Sequence, residues 1–372
     1  MLDMRTIIVS NVITDIVSLI VMALLWRQTR KRFAGTGFFA LDFVLQTTAF
    51  FLIILRGSIP DWLSIVLANT LVIAGAILGY MGLLRFVGKK STQIHNYFLL
   101  VVFAFIHVYF TFWQSNLAAR NANVAMGLLI ICFQCAWLLL YRVETTMRQL
   151  TRGVGIVFCF YCLLSAIRIA EMFFHKHSTT DFFQSGGFDQ FILTSHQMLL
   201  MLLTFSLVLM FNKRLFTDVK QQEEKFSKAF QSSPYAITIT RMSDGQIIEV
   251  NDAFLNITGY QLADIQGKTT IGMHLWCREA DRAFVVSELA SKGKVQEREF
   301  QFRKKAGETI TGLFSAEIIK INNDNCVLSS INDITARKDV LEALRQSNEY
   351  LDNLIKYANA PIIVWDPQFR IP

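Results

Sequence analysis

The sequence predicts a multi-pass α-helical membrane bundle of seven spans, then an α+β domain with a five-stranded antiparallel sheet, then a coiled-coil linker. Three observations carry this. Hydrophobic residues make up 53% of the 372 residues and charged residues 17%, where soluble domains average about 25% charged. The apolar excess is confined to residues 1–212 and falls into runs of helical length. After Pro234 the hydrophobic period drops from helical to two, the spacing of strands.

A span needs about 20 apolar residues to cross roughly 30 Å of hydrocarbon. Seven stretches qualify: Thr6–Trp26, Gly35–Leu55, Asp61–Gly82, Ile94–Gln114, Asn121–Tyr141, Gly153–Phe174 and Gln190–Phe211. A cleaved signal peptide is excluded for the first, because it is full length and six more follow.

Charge sets the orientation. Residues 1–214 carry 17 Lys/Arg against 8 Asp/Glu, and residues 215–372 carry 19 against 21, so the basic excess belongs to the apolar half. It punctuates the spans, which fits membrane topology and sets nucleic-acid binding aside. Arg27, Arg30, Lys31, Arg32, Arg85, Lys89, Lys90, Arg142, Arg148, Arg152, Lys213 and Arg214 fall on one side; Arg5, Arg56, Arg120 and Lys176 fall on the other. The expectation is a multi-pass protein of the cell (inner) membrane, N-terminus outside and everything after Phe211 in the cytoplasm, in contact with membrane lipid.

The six cysteines do not read as disulfides. Cys277 and Cys326 belong to the cytoplasmic part, where thiols stay reduced. Cys132–Cys135 and Cys159–Cys162 are C-x-x-C pairs inside apolar helices, so they read as small buried hydrophobes and no metal site is expected.

Residues 213–230 read as a polar signalling helix with apolar Leu215, Val219, Phe226 and Ala229. Tyr235, Ile237 and Ile239 alternate with Ala236, Thr238 and Thr240; Ser243-Asp244-Gly245 turns the chain, and Gln246–Val250 completes a hairpin. Asn251–Ile257 is a short helical turn closed by Gly259, and Arg278–Lys292 is an amphipathic helix. Three strands follow: one through Phe300 and Phe302, one through Ile310, Gly312, Phe314, Ala316 and Ile318, and one over Asn325–Asn332.

These residues carry a resemblance. Ser232-Ser233-Pro234-Tyr235-Ala236-Ile237, then Ile247-Ile248-Glu249-Val250-Asn251-Asp252-Ala253-Phe254 and Thr258-Gly259-Tyr260, closely match the signature that opens a PAS (S-box) domain. Glu299–Glu308 and Asp333-Ile334-Thr335 resemble its second (PAC) half, which implies a PAS domain over residues 231–335. Asn251, Gly259, Asp333 and Thr335 are expected to act structurally, Asn251 tying a strand end to the next helix and Asp333 or Thr335 capping the outgoing helix.

Over residues 336–358, Leu341, Leu344, Asn348, Leu351, Ile355 and Ala358 stand at heptad spacing. Asn348 at a core position would fix the register of a parallel homodimer. Asn359–Asp366 resembles the opening strand of a second PAS domain, so residues 359–372 are expected to be its truncated start. Leu55–Asn69 is similar to a segment of bacterial seven-span sensor regions that precede PAS, diguanylate cyclase or histidine kinase modules.

Intramembrane polar groups are costly, which makes them functional candidates. Asp15, Asn69, His107, Arg168, Glu171 and His196 fall in the outer halves of their spans and are expected to line a ligand pocket, or to hold the bundle together by interhelical hydrogen bonds. Arg168 and Glu171, three apart, share a helix face and can pair. Asp42, Gln46 and Gln134 read as packing residues, and His175 and His177 as solvated.

No cofactor is favoured. His274-Leu275-Trp276-Cys277-Arg278 does not match the flavin photosensor stretch, Arg278–Lys292 lacks the histidine of a haem-binding PAS helix, and Gln190–Phe211 lacks the lysine a retinal Schiff base needs. Trp276 is expected to pack. The sequence carries no phospho-acceptor histidine box, G-G-D-E-F run or phosphate-binding glycine loop. The resemblance implies a sensory protein relaying a cue through PAS and coiled-coil segments to a downstream output module, as in two-component signalling. A histidine kinase or diguanylate cyclase of which this is the N-terminal part is the alternative. A transporter is disfavoured, since neither an internal repeat nor paired broken helices are evident.

Overall fold

The computed structural model describes residues 3–174, 182–184, 186–357 and 367, and the chain divides into two compact units, Met1–Val219 and Lys220–Pro372. His175, His177, Ala358 and the Asn359–Asp366 strand expected from the sequence lie outside the described residues.

The first unit is helical: α1 (Met4–Thr29), α2 (Thr36–Ile54), α3 (Ala68–Phe86), α4 (Ile94–Val108), α5 (Leu117–Trp137), α6 (Thr145–Phe174) and α7 (Gly187–Gln231). Short π-helical turns, Trp62–Leu67, Tyr109–Trp113 and Leu138–Arg142, precede α3 and extend α4 and α5. Among the described residues, seven helices are long and apolar enough to cross a membrane. A helix satisfies its own backbone polar groups within the segment, which lets such apolar runs be packed away from water.

Several helices exceed the apolar windows. The sixth starts at Thr145 rather than Gly153, because only Val143 and Glu144 separate it from the preceding π-helical turn. The seventh continues through the polar segment to Gln231, with neither Gly nor Pro after Gly187 to stop it. Asn11, Asp15, Ser18 and Met22 recur on the buried face of α1, while Ile13, Val17, Ile20 and Leu24 point outward. At the other end of the bundle Phe33, Phe39, Phe86 and Phe211 meet edge-on or tilted. Arg214 closes that cluster: its Nη1 donates to the Phe86 carbonyl at 2.6 Å, and its guanidinium lies 4.7 Å from the Phe86 ring centre.

The second unit is an α+β domain on a five-stranded antiparallel sheet ordered β2-β1-β5-β4-β3: β1 (Ala236–Arg241), β2 (Ile247–Val250), β3 (Lys294–Arg303), β4 (Thr309–Ile321) and β5 (Asp324–Asp333). Between β2 and β3 run α8 (Asp252–Thr258), α9 (Leu262–Ile265) and α10 (Glu279–Lys292), and α11 (Thr335–Tyr357) leaves the sheet. Ile310, Phe314 and Ala316 of β4 face the main core with Phe254, Leu275, Val285 and Leu289. The faces of β1 divide: Ala236 joins that core, whereas Ile239 packs on Phe230 and Cys326 across the sheet. A Cβ at Gly312 would lie 2.5 Å from Ile331 Cγ2, so this strand position admits only glycine.

Candidate functional site

A cavity of about 210 Å³ lies inside the helical unit, walled by residues of α1, α2, α3, α5, α6 and α7. Asp15, Asn69, Arg168 and His196 line it. The other two candidates do not. His107 is buried on α4, stacked on Phe103 at 5.2 Å, with Asn123 Nδ2 3.4 Å from its Nδ1, so it fastens α4 to α5. Glu171 stays behind the wall and pairs with Arg168 at 3.4 Å.

Asp42 and Gln46, expected to serve packing alone, line the cavity. The reason is on α3: Gly75 and Gly79 lack the side chains that would occupy the space of the Asp42 carboxylate. Gln46 Nε2 donates to Asp42 Oδ1 and to the Val72 carbonyl, each at 3.2 Å. Gln134 lies elsewhere and does bridge helices, exchanging hydrogen bonds with Asn96 at 2.9 and 3.2 Å.

Sequence reasoning missed Asn11, Asn121, Ser165, Asp189 and Gln197, which also line the cavity. Asp189 stands one residue before the seventh apolar window, so it reads as a loop residue. In the structure it is 2% exposed and ion-paired with Arg168. Arg168 is thus gripped by two carboxylates, Glu171 on its own helix and Asp189 on α7. Gln197 Nε2 donates to Ser10 Oγ and Thr14 Oγ1 at 2.8 and 2.7 Å, linking α7 to α1.

Several polar atoms of this wall have no protein partner among the described residues: Asn11 Nδ2, Asp15 Oδ2, Asn121 Nδ2 and Ser165 Oγ. A buried polar atom left without a partner is costly, so these atoms call for water or a ligand. The apolar wall includes Phe43, Phe50, Phe158 and Tyr161. The Tyr161 and His196 rings lie 5.5 Å apart.

In the α+β unit the signature residues are structural in their contacts. Asn251 is fully buried: its Oδ1 accepts from Ile237 N at 2.8 Å and Phe254 N at 3.0 Å, while Nδ2 donates to the Tyr235 and Phe230 carbonyls at 2.8 and 3.1 Å. Gly259 ends α8 at φ 76°, where glycine has no Cβ penalty. Asp333 Oδ1 accepts from Thr335 N at 2.9 Å, and Thr335 Oγ1 accepts from Thr311 N at 3.0 Å. Trp276 sits among Phe300, Phe302 and Phe314 with ring centres 4.9–5.5 Å away, filling the middle of the domain. Asp264 holds two elements together, accepting from Lys305 Nζ at 2.5 Å and from Gln261 N at 3.0 Å, and these bonds lower its pKa.

Residues 234–336 match the family model of the PAS domain and constitute a PAS domain. No curated protein matches the chain. Among solved structures, the chain is similar to the PAS domain of an HTR-like protein from Haloarcula marismortui, at 21% identity and TM-score 0.28, covering 33% of this chain and 99% of that one. It is also similar to the PAS domain of a protein from Colwellia psychrerythraea, at 24% identity and TM-score 0.27, covering 30% and 97%. A domain of a sensory box sensor histidine kinase/response regulator from Geobacter sulfurreducens matches at 17% identity and TM-score 0.26, covering 31% and 96%. PAS domains are typical of sensor and signal-transduction proteins.

Proposed function

We propose that this chain is a membrane-embedded sensor, N-terminus outside, in which a ligand in the α1–α7 cavity shifts helix packing and α7 carries the change toward the cytoplasmic PAS domain. The observation that carries the reading is the cavity wall of buried polar atoms without protein partners, set among helices apolar enough to span a membrane. Two features support the relay. The helix that brings His196 and Gln197 to the wall is unbroken to Gln231, and α11 presents Leu341, Leu344, Leu351 and Ile355 to solvent, a seam suited to a parallel homodimer. The output module is proposed to be a histidine kinase or diguanylate cyclase, on the resemblance of Leu55–Asn69 to sensor regions that precede them.

The test is a fusion of residues 1–357 to a diguanylate cyclase reporter. Filling the cavity with Ala76→Trp should shift basal output, whereas Ile16→Trp on the exposed face of α1 should not. Equal output from the two variants would reject the cavity as the sensing site. A reporter active only in the cytoplasm should work after Lys213 and fail within residues 178–187; the reverse pattern would reject the orientation.

A further inference from the structure

We infer that the cavity takes a small organic ammonium ion carrying an aromatic or alkyl body, an inference that rests on the sensory reading of the cavity. The charge balance of the wall points to a cation. Asp15, Asp42 and Asp189 bring carboxylates to the cavity and Arg168 brings the guanidinium. Arg168 is already neutralised by Asp189 and Glu171, so it has little charge left for an anion. Asp15 is 2% exposed with Oδ2 unpartnered among the described residues, and the Asp42 carboxylate accepts a hydrogen bond from the neutral amide of Gln46. Two carboxylates with no cationic partner among the described residues either stay protonated or carry a costly charge in an apolar bundle, and a ligand cation favours the charged form.

An independent observation also points to a ligand. Asn11, one turn before Asp15 on the same face, is 3% exposed and its Nδ2 has no partner among the described residues. A water bound beside the occupant accepts from that amide, since an ammonium group only donates.

The walls and the size select an organic ion over an inorganic one. Phe43, Phe50 and Tyr161 line the cavity, and aromatic rings attract ammonium groups and pack against an apolar body. Among the described residues no group of three or more His, Cys, Asp or Glu is placed to hold a metal ion. The volume of about 210 Å³ exceeds the roughly 150 Å³ apolar cavity that admits benzene. A phenethylammonium-sized molecule fits these limits. The same ammonium chemistry is available from a free amine or from a lipid headgroup.

The test uses the full chain in non-ionic maltoside micelles, titrated calorimetrically with phenethylammonium, neutral 2-phenylethanol and anionic phenylacetate. Phenethylammonium should bind at least about tenfold more tightly than the other two, and Asp15→Asn and Asp42→Asn should each weaken it by about tenfold or more. The ligand-free Tm of Asp15→Asn should not fall, since the change keeps the shape and removes an acid with no cationic partner among the described residues; this shows that the variant folds. Added phosphatidylethanolamine that competes with the probe identifies the headgroup as a source, and lack of competition identifies a free amine; phosphatidylglycerol is the control. Equal binding of 2-phenylethanol, tighter binding of phenylacetate, or no binding of any probe would overturn the ammonium assignment. So would unchanged phenethylammonium affinity in both Asn variants. In each of those cases the output shift caused by Ala76→Trp decides separately whether the cavity senses anything.

Discussion

Gly79 faces the Asp42 carboxylate so closely that a Cβ at Gly79 would stand 2.6 Å from Oδ2. One turn earlier on α3, a Cβ at Gly75 would stand 2.7 Å from Oδ1. The glycines therefore form the socket of the Asp42 carboxylate. Gly79→Ala is expected to destabilise the bundle by roughly 1–3 kcal/mol through overpacking. Asp42→Ala should relieve it, giving a coupling of about 0.5–3 kcal/mol in a double-mutant cycle. Thermal unfolding in detergent measures both, and strictly additive effects would reject the contact.

Asn251 joins the end of α7, β1 and α8 through hydrogen bonds to Phe230, Tyr235, Ile237 and Phe254, with a longer one to the Ser233 carbonyl. Asn251→Ala strands buried backbone groups on each, and should cost about 3 kcal/mol or more. Asn251→Asp keeps the acceptor but loses the bonds donated by Nδ2, so it should not rescue. Urea unfolding of residues 220–357 reads the difference, and a loss below about 1 kcal/mol would show that water replaces the amide.

The helices and the sheet were legible in the sequence because their signals are local. Twenty-residue apolar runs identify the first, and the alternation from Tyr235 to Thr240 identifies the second. Cavity membership was legible only in part. On α1 the outward Ile13, Val17 and Ile20 are as apolar as inward Ile8 and Met22, so periodicity alone does not mark the inner face. Asp42 was misread for a different reason: its role depends on two glycines of another helix, a relation invisible until α2 and α3 are packed. Asp189 escaped because a charge just outside an apolar window reads as a loop residue.

Asn348 lies on the exposed seam of α11 with Leu344 and Leu351. Residues 220–357 are expected to dimerise in sedimentation equilibrium. Asn348→Leu should tighten association while admitting other oligomeric states. A fragment that stays monomeric at high concentration would argue against signalling through this helix.

The same helix makes a pH prediction. Glu342 accepts from Arg345 and Gln346, and its pKa falls from the usual 4.5 to about 2. A depressed carboxylate stabilises the helix above its unfolded pKa, and that contribution disappears as pH falls through about 2. Circular dichroism of a peptide of residues 335–357 should therefore show helicity declining from about pH 5 to pH 2, less steeply in Glu342→Gln. Both ends are solvent-exposed, so salt should weaken the effect.

The Arg168 cluster separates architecture from sensing, and its two carboxylates dictate the experiment. Removing Arg168 alone leaves Asp189, 2% exposed, without this cation, and Arg168→Leu should cost about 3–5 kcal/mol. Replacing Arg168 and Glu171 together would not restore stability, because Asp189, 2% exposed, would remain without this partner. The informative variant is the triple Arg168→Leu, Glu171→Leu, Asp189→Leu, which should regain most of the loss. Basal output in the cyclase fusion then discriminates. If the cluster only fastens α6 to α7, the triple variant folds and keeps wild-type output. If the cluster transmits the state of the cavity, the triple variant folds with normal Tm while its output no longer shifts when Ala76→Trp is added. A triple variant as unstable as Arg168→Leu would instead show that the ions are needed for packing, and would remove this cluster from any account of signalling.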